Sequence, residues 1–164
     1  MAPDGWLLLL GAATTVDGLL AGASADQSIE QLPARRRIGV RAYHAYTQAS
    51  HMANGRFWLV PLGIAGPLLR LGAALWAWTL ALPSDSSVPV YVAAALAIAH
   101  ALSTVRAASI NWALTPWQLS EKRISDEKRL AEILNRFERW QALRASLQFL
   151  TFVAGVWALS AQRI

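Results

Sequence analysis

The residue pattern of this chain calls for an all-α fold, a four-helix transmembrane bundle with amphipathic helical segments on its cytoplasmic side. Three observations carry that expectation. Of the 164 residues 55% are hydrophobic and only 15% charged, too apolar for an ordinary soluble domain. Four windows, 6–23, 57–82, 88–112 and 140–161, approach the ~20 largely apolar residues that a spanning helix needs. Basic residues are concentrated in two of the three connections. So little chain lies outside the windows that residues 1–164 are expected to form a single integral-membrane domain, without internal repeats or low-complexity tracts.

The first window, from Trp6 to Ala23, lacks the positive n-region of a signal peptide; Asp4 precedes it and Asp17 interrupts it, so it is read as a retained helix. Gly18 and Gly22 form a GxxxG pair suited to close helix contact. The connection that follows, "ARRRIGVRAYHAYTQASHMANG", is expected to be helical up to Gly55, with Pro33 near its start. Small residues at Gly63, Gly66 and Gly72 offer packing surfaces in the second window, and Pro61 and Pro67 predict bends there. After the short "PSDSS" link comes the third window, Val88 to Trp112. The third connection, "SEKRISDEKRLAEILNRFERW", spaces Ile124, Leu130, Ile133, Leu134 and Phe137 among charges. That pattern suits an amphipathic helix lying at the interface or running straight into the fourth span.

Arg35, Arg36, Arg37, Arg41 and Arg56 lie in the first connection, and Lys122, Arg123, Lys128, Arg129, Arg136 and Arg139 in the third; the second has no basic residue. The positive-inside rule therefore predicts that the first and third connections are cytoplasmic and both termini non-cytoplasmic. The net charge of +5 reads as topology and attraction to membrane lipid headgroups, with no nucleic-acid partner implied. Most tryptophans fall near the ends of the windows, as an aromatic belt would.

The absence of cysteine excludes disulfides, thiol catalysis and cysteine-ligated metal. Glycine-rich phosphate loops, a GxSxG elbow and dinucleotide fingerprints are absent as well. His44, His51, His100 and Asp17 are chemically adequate metal ligands, but no tight histidine spacing unites them, and no metal site is assigned.

Polar groups inside the windows carry the functional signal, because ionisable residues in spans usually face the bundle interior or a water-filled cavity. Counting from the basic side, Arg144 and Gln148 lie one and two turns inside, Asp17 about two turns, Arg106 and Asn111 near the inner end of the third span, and His100 and Arg70 nearer the middle of the bundle. Trp140, Arg144, Gln148, Thr151 and Gly155 share one stripe of the fourth span. His100, Thr104, Ala107, Asn111 and Gln118 share one of the third, and Arg37, Arg41, His44, Gln48 and His51 one of the first connection. Three polar faces predict a hydrophilic pocket beneath a cytoplasmic cap. Structural alternatives stand beside each residue: snorkelling of Arg144 beside Trp140, an ion pair of Asp17 with Arg144 or Arg106, and a hydrogen-bonded packing role for His100.

The segment "LNRFERWQALRASLQFL" resembles the fourth helix of the anthrone oxygenase-like family of small four-helix membrane proteins, where an aromatic, a polar residue four further on and an arginine three beyond that form the signature. These positions are Phe137, Gln141 and Arg144 here. "INWALTPWQLSEKRI" is similar to the proline-plus-amide stretch ending the family's third helix, at Pro116, Gln118 and Leu119; "DGLLAGASADQSIEQLP" looks like its first helix, at Gly18, Gly22, Ser24 and Pro33. Two positions depart from the family pattern: Phe137 stands for tryptophan, and Gln141 for the usual His or Asn. Glutamine cannot replace a catalytic base.

The resemblance implies oxidation of an electron-rich polycyclic phenol to a quinone, an anthrone to an anthraquinone, without a flavin, haem or other cofactor. In that reading Arg144 stabilises the oxyanion and His51 or His44 takes the proton, while Gln141, Gln148 and Asn111 orient oxygens and Phe137, Trp140 and Trp117 stack on the rings; Gln118 and Asp17 complete the binding surface. The partner is then a hydrophobic aromatic small molecule drawn from the membrane lipid, and a homo-oligomer is compatible with the sequence. A non-catalytic accessory, scaffold or lipid-binding subunit is the alternative, in which the buried polar groups only specify helix packing. A small transporter is the third, and it lacks the inverted repeat common in transporter folds.

Overall fold

The computed structural model describes residues 4–112 and 127–162, and among them every regular element is helical. Helix α1, Asp4–Asp26, passes through a π-helical turn at Gln27–Gln31 into α2, Leu32–Ile38. The turn ends two residues before Pro33. Leu32 donates its N–H to the carbonyl of Gln27, five residues back, which widens the helix where the proline ring would otherwise press on the preceding turn. Gly39, with φ of 85°, then breaks the helix, a backbone conformation that costs a residue without a side chain little.

From there α3, Val40–Thr47, leads through a second π-helical stretch, Gln48–Gly55, into α4, Arg56–Thr79. The first connection is thus helical up to Gly55 apart from the break at Gly39, and from Val40 it runs on without a break into the second span. α4 ends earlier than the expected Leu82. The N–H groups of Ala81 and Leu82 donate to the carbonyls of Trp78 and Ala77 at 3.1 Å and 3.4 Å, the paired bonds of a Schellman cap. Ala81 occupies its left-handed position with φ of 48°, and Pro83 prevents resumption of the helix. α5, Ser84–Trp112, and α6, Glu127–Ser160, complete the fold. The described part of the third connection runs straight into the fourth span.

α1 packs against α4 and α6, and α5 against the same two helices. The spans therefore form a square in which α4 and α6 face each other across one diagonal. Near the chain termini, Trp6, Leu10, Ala73, Ala77, Val90 and Ala158 make one apolar core. At the basic end, Leu32, Tyr43, Ala107, Leu130, Leu134 and Phe137 make another, which fastens α2 and α3 onto α5 and the charged half of α6. Arg35 pins this cap by donating to Asn135 at 2.6 Å and to Glu138 at 3.0 Å.

The outside is apolar. Leu68, Leu75, Leu102, Val105, Phe149 and Val153 are exposed, and the four helices are each long and apolar enough to cross a membrane. Trp58 and Trp78 on α4 are exposed at 75% and 74%. Their separation of twenty residues (78 minus 58) corresponds to ~30 Å of helix, the thickness of the hydrocarbon layer. Not every tryptophan belongs to this belt. Trp6 is fully buried, donates its indole N–H to Gln162 at 3.2 Å and meets Trp76 edge-on.

Glycine contacts depart from the GxxxG expectation. A Cβ on Gly18 would come within 3.0 Å of the Phe152 ring, whereas Gly22, Gly63 and Gly72 have nothing within 4 Å. A phenylalanine from α6 fills the notch at Gly18, so close backbone approach along the whole motif does not occur.

Candidate functional site

Between the two apolar cores lie two buried polar layers. The upper layer is built on Arg70, which is completely buried in α4. Its Nε donates to Asp17 Oδ2 at 2.6 Å and its Nη2 to Thr14 Oγ1 at 3.0 Å. Two charges this deep need each other, because the desolvation of either alone costs several kcal/mol. Space for the guanidinium comes from the far side of the bundle: a Cβ on Gly155 of α6 would collide with Arg70 Nη2. Gly66 leaves similar room beside Asp17 Oδ1. Asp17 is therefore the partner of Arg70, in place of the expected Arg144 or Arg106, and Arg106 is exposed.

The lower layer lies toward the basic end. Ser24 donates its hydroxyl to Gln148 Oε1, and Arg144 donates from Nη2 to Gln27 Oε1 at 3.0 Å. Both acceptor-donor pairs join α1 or its π-helical turn to α6. The widened turn presents Gln27 inward, where it holds Arg144 and leaves the arginine's Nε buried without a partner.

Two further side chains enter this layer unsatisfied. His100, on α5, is 1% exposed, and neither ring nitrogen has a hydrogen-bond partner among the described residues. Gln141, on α6, is fully buried, and both its amide nitrogen and its oxygen lack partners among the described residues. The register between α5 and α6 follows from Ser86, whose hydroxyl donates to the carbonyl of Ala161 at 3.1 Å, and from the shared core of Ala107, Leu134 and Phe137. Antiparallel packing then sets His100 level with the turn from Arg144 to Gln148. Gln141 lies about one turn further toward the basic end. A buried polar atom left unpaired costs about 1–3 kcal/mol, and four of the atoms in that condition among the described residues belong to these two side chains.

Of the residues expected to form the site, the structure brings Arg144, Gln148 and Gln141 into this layer. Phe137 is part of the basic-end core and Trp140 packs half-buried against it. Asn111 is half-buried near the end of α5, and His44 is half-buried in α3 with Nδ1 unpartnered. Asp17 belongs to the upper layer, ten residues from Gln27, ~15 Å along the helix. The side chain of His51, and Trp117 and Gln118 entirely, lie outside the described residues. Sequence reasoning missed Gln27, whose only signal was its place before Pro33; it set His100 on a polar stripe with hydrogen-bonded packing as the alternative, and the ring makes no such bond among the described residues. Among the described residues no three His, Asp or Glu come together as a metal site would require.

Compared with family models, with curated proteins and with solved structures, this chain matches none of them.

Proposed function

We propose that the protein is an integral-membrane oxygenase that converts an electron-rich polycyclic phenol to its quinone in the lower polar layer. The observation that carries this reading is the pair of buried, unpartnered side chains, His100 and Gln141, beside an Arg144 that is itself held by Gln27. Imidazole is a side chain that can take a proton from an acidic ring C–H, and the His100 ring has no hydrogen-bond partner among the described residues. Its place opposite Arg144 gives His100 the proton-accepting role that the resemblance had assigned to His44 or His51. Arg144 Nε supplies a donor for the phenolate that forms, and in a site without bulk water such a donor acts strongly. Gln141, which cannot be a base, orients a substrate oxygen.

The atoms balance with dioxygen as the co-reactant. An anthrone methylene loses its two hydrogens, one oxygen atom becomes the new carbonyl, and the other leaves as water with those hydrogens. A substrate dissolved in the bilayer reaches the layer from the apolar outer surface, and the basic end faces the cytoplasm by the positive-inside rule, with both termini on the opposite side.

Labelled dioxygen tests the reaction. Incubation of the purified protein in nanodiscs with a simple anthrone under 18O2 is expected to place one 18O in the quinone product faster than the protein-free control. Label arriving from water, or no rate above the control, would overturn the reading. The bonds of Ser24 to Gln148 and of Arg70 to Asp17, which tie the helices to one another, favour the second reading, a non-catalytic membrane scaffold, and a folded protein without turnover is the result that reading expects.

A further inference from the structure

Two arginines on the outside of the bundle stand apart from the rest of the basic end. Arg35 is held by Glu138 and Arg41 by Glu127. Arg106 of α5 and Arg136 of α6 are exposed, and neither has an ion-pair partner among the described residues. Glu132, one turn from Arg136 and also exposed, makes no ion pair with it.

Their depth follows from the helix registers. Ala73 of α4 and Val90 of α5 share one apolar core, so on these antiparallel helices the sixteen residues from Val90 to Arg106 (106 minus 90) descend to the level of Phe57 (73 minus 16). Beside Phe57 is Trp58, one of the two exposed tryptophans whose separation matches the hydrocarbon layer. Arg106 thus stands where the hydrocarbon ends and the headgroup region, ~5–7 Å deep, begins. The bond from Ser86 to Ala161 sets α5 against α6. Twenty residues from Ser86 to Arg106 (106 minus 86) correspond to Gln141 (161 minus 20), and Arg136 lies five residues beyond (141 minus 136), ~7.5 Å toward the basic end. Two packed helices therefore place one cation at each border of the headgroup layer.

Both arginines flank the same seam. On α5, Leu102, Arg106 and Ile110 recur every four residues and form one stripe. Ile110 packs half-buried against the basic-end core, as do Ile133 and Trp140 of α6. Arg136 lies three residues after Ile133 and four before Trp140, on their edge of the helix. Asn135 and Glu138 take the opposite edge, where Arg35 of the cap meets them. The seam thus has an apolar floor and a cationic rim. Toward the middle of the bilayer its two stripes continue as Leu102 and Leu143, both exposed.

We infer that this outer seam holds an anionic phospholipid of the leaflet at the basic end, with Arg106 and Arg136 donating to its phosphate and an acyl chain lying along Leu102 and Leu143. Two unpaired cations favour a headgroup of net negative charge over one that would bring its own ammonium into the seam. General attraction of basic connections to a leaflet singles out no pair of residues, whereas this site needs one cation from each of two helices over a shared apolar groove. It lies outside the lower polar layer and is independent of the oxygenase reading.

The test is native mass spectrometry of the purified full chain, released from mixed micelles that contain phosphatidylglycerol and phosphatidylcholine in equal amounts with matched acyl chains. The wild type is expected to retain phosphatidylglycerol preferentially. Arg106→Gln and Arg136→Gln should each lower that preference about fivefold, and the double variant about twenty-five-fold, the loss expected for one and two cations at an anionic lipid surface. Arg106→Lys keeps a point charge and should stay within about twofold. Arg37→Gln removes the same charge from an exposed position on α2 and should leave the preference unchanged. Inorganic phosphate in excess should not displace the lipid, because the seam also holds an acyl chain. Equal retention of the two lipids by the wild type, undiminished preference in a folded double variant, displacement by phosphate, or an equal loss in Arg37→Gln would overturn the inference.

Discussion

A methyl group added at Gly155 should unseat the buried ion pair of the upper layer. The Cβ of Gly155→Ala would collide with Arg70 Nη2, stand 2.9 Å from Arg70 Cζ and 3.0 Å from Thr14 Oγ1. The guanidinium cannot retreat without giving up its bonds of 2.6 Å to Asp17 and 3.0 Å to Thr14. If α6 moves instead, the cost is that of overpacking, about 1–3 kcal/mol. If Arg70 is displaced, a buried charge loses its partner, and the cost is about 3–5 kcal/mol. Arg70 is enclosed at 0% exposure, and the colliding atom belongs to its charged head, so the larger figure is expected. Reversible unfolding in mixed micelles would measure it, alone and in a background of Asp17→Asn with Arg70→Met. Removing the charges and the guanidinium should reduce the alanine's cost to about 1 kcal/mol, a coupling that independent sites do not show. An equal cost in both backgrounds, or less than 1 kcal/mol in the wild type, would refute the claim that Gly155 exists to accommodate Arg70.

Other perturbations separate neighbouring roles. Gly18→Ala should cost about 1–3 kcal/mol against the Phe152 ring, whereas Gly22→Ala, with open space around it, should be neutral or gain up to about 1 kcal/mol from helix propensity; thermal unfolding of the two compares them directly. Ala81→Gly should raise stability by about 1 kcal/mol, because its left-handed backbone burdens a side-chain-bearing residue. Arg35→Ala should loosen the cap by about 1–3 kcal/mol through loss of the Asn135 and Glu138 bonds, read as faster amide exchange in α2 and α3 with the spans unchanged. Gln27→Ala takes the acceptor from Arg144, and should lower kcat/KM for an anthrone about tenfold at a cost of about 1–3 kcal/mol in thermal stability.

Apolar length and charge distribution were enough to read the four spans, because both are properties of single segments. The cap was legible for the same reason: Leu130, Leu134 and Phe137 recur at helical spacing, and the structure places them in one core. Pairings between spans were not legible. Asp17 had three arginines available, and only the adjacency of α1 and α4 with the room at Gly155 selects Arg70. The GxxxG reading took i and i+4 as one contact face, but a single aromatic side chain, Phe152, meets Gly18 and leaves Gly22 open. The last turn of α4 was overextended because Leu80 to Leu82 are apolar, while the Schellman bonds and Pro83 act through the backbone. For His100, sequence supplies the ring but not its neighbours; that neither nitrogen meets a partner among the described residues depends on how the helices pack.

Steady-state oxygen uptake with a simple anthrone tests the central claim most directly, measured in nanodiscs for the wild type, His100→Leu and Arg144→Ala. The proposed site predicts uptake above the spontaneous rate in the wild type, a loss of at least about tenfold in each variant, and folded protein throughout. Uptake that survives in both variants would place the chemistry elsewhere, and no uptake by well-folded wild type would leave the lower layer as a device of helix packing.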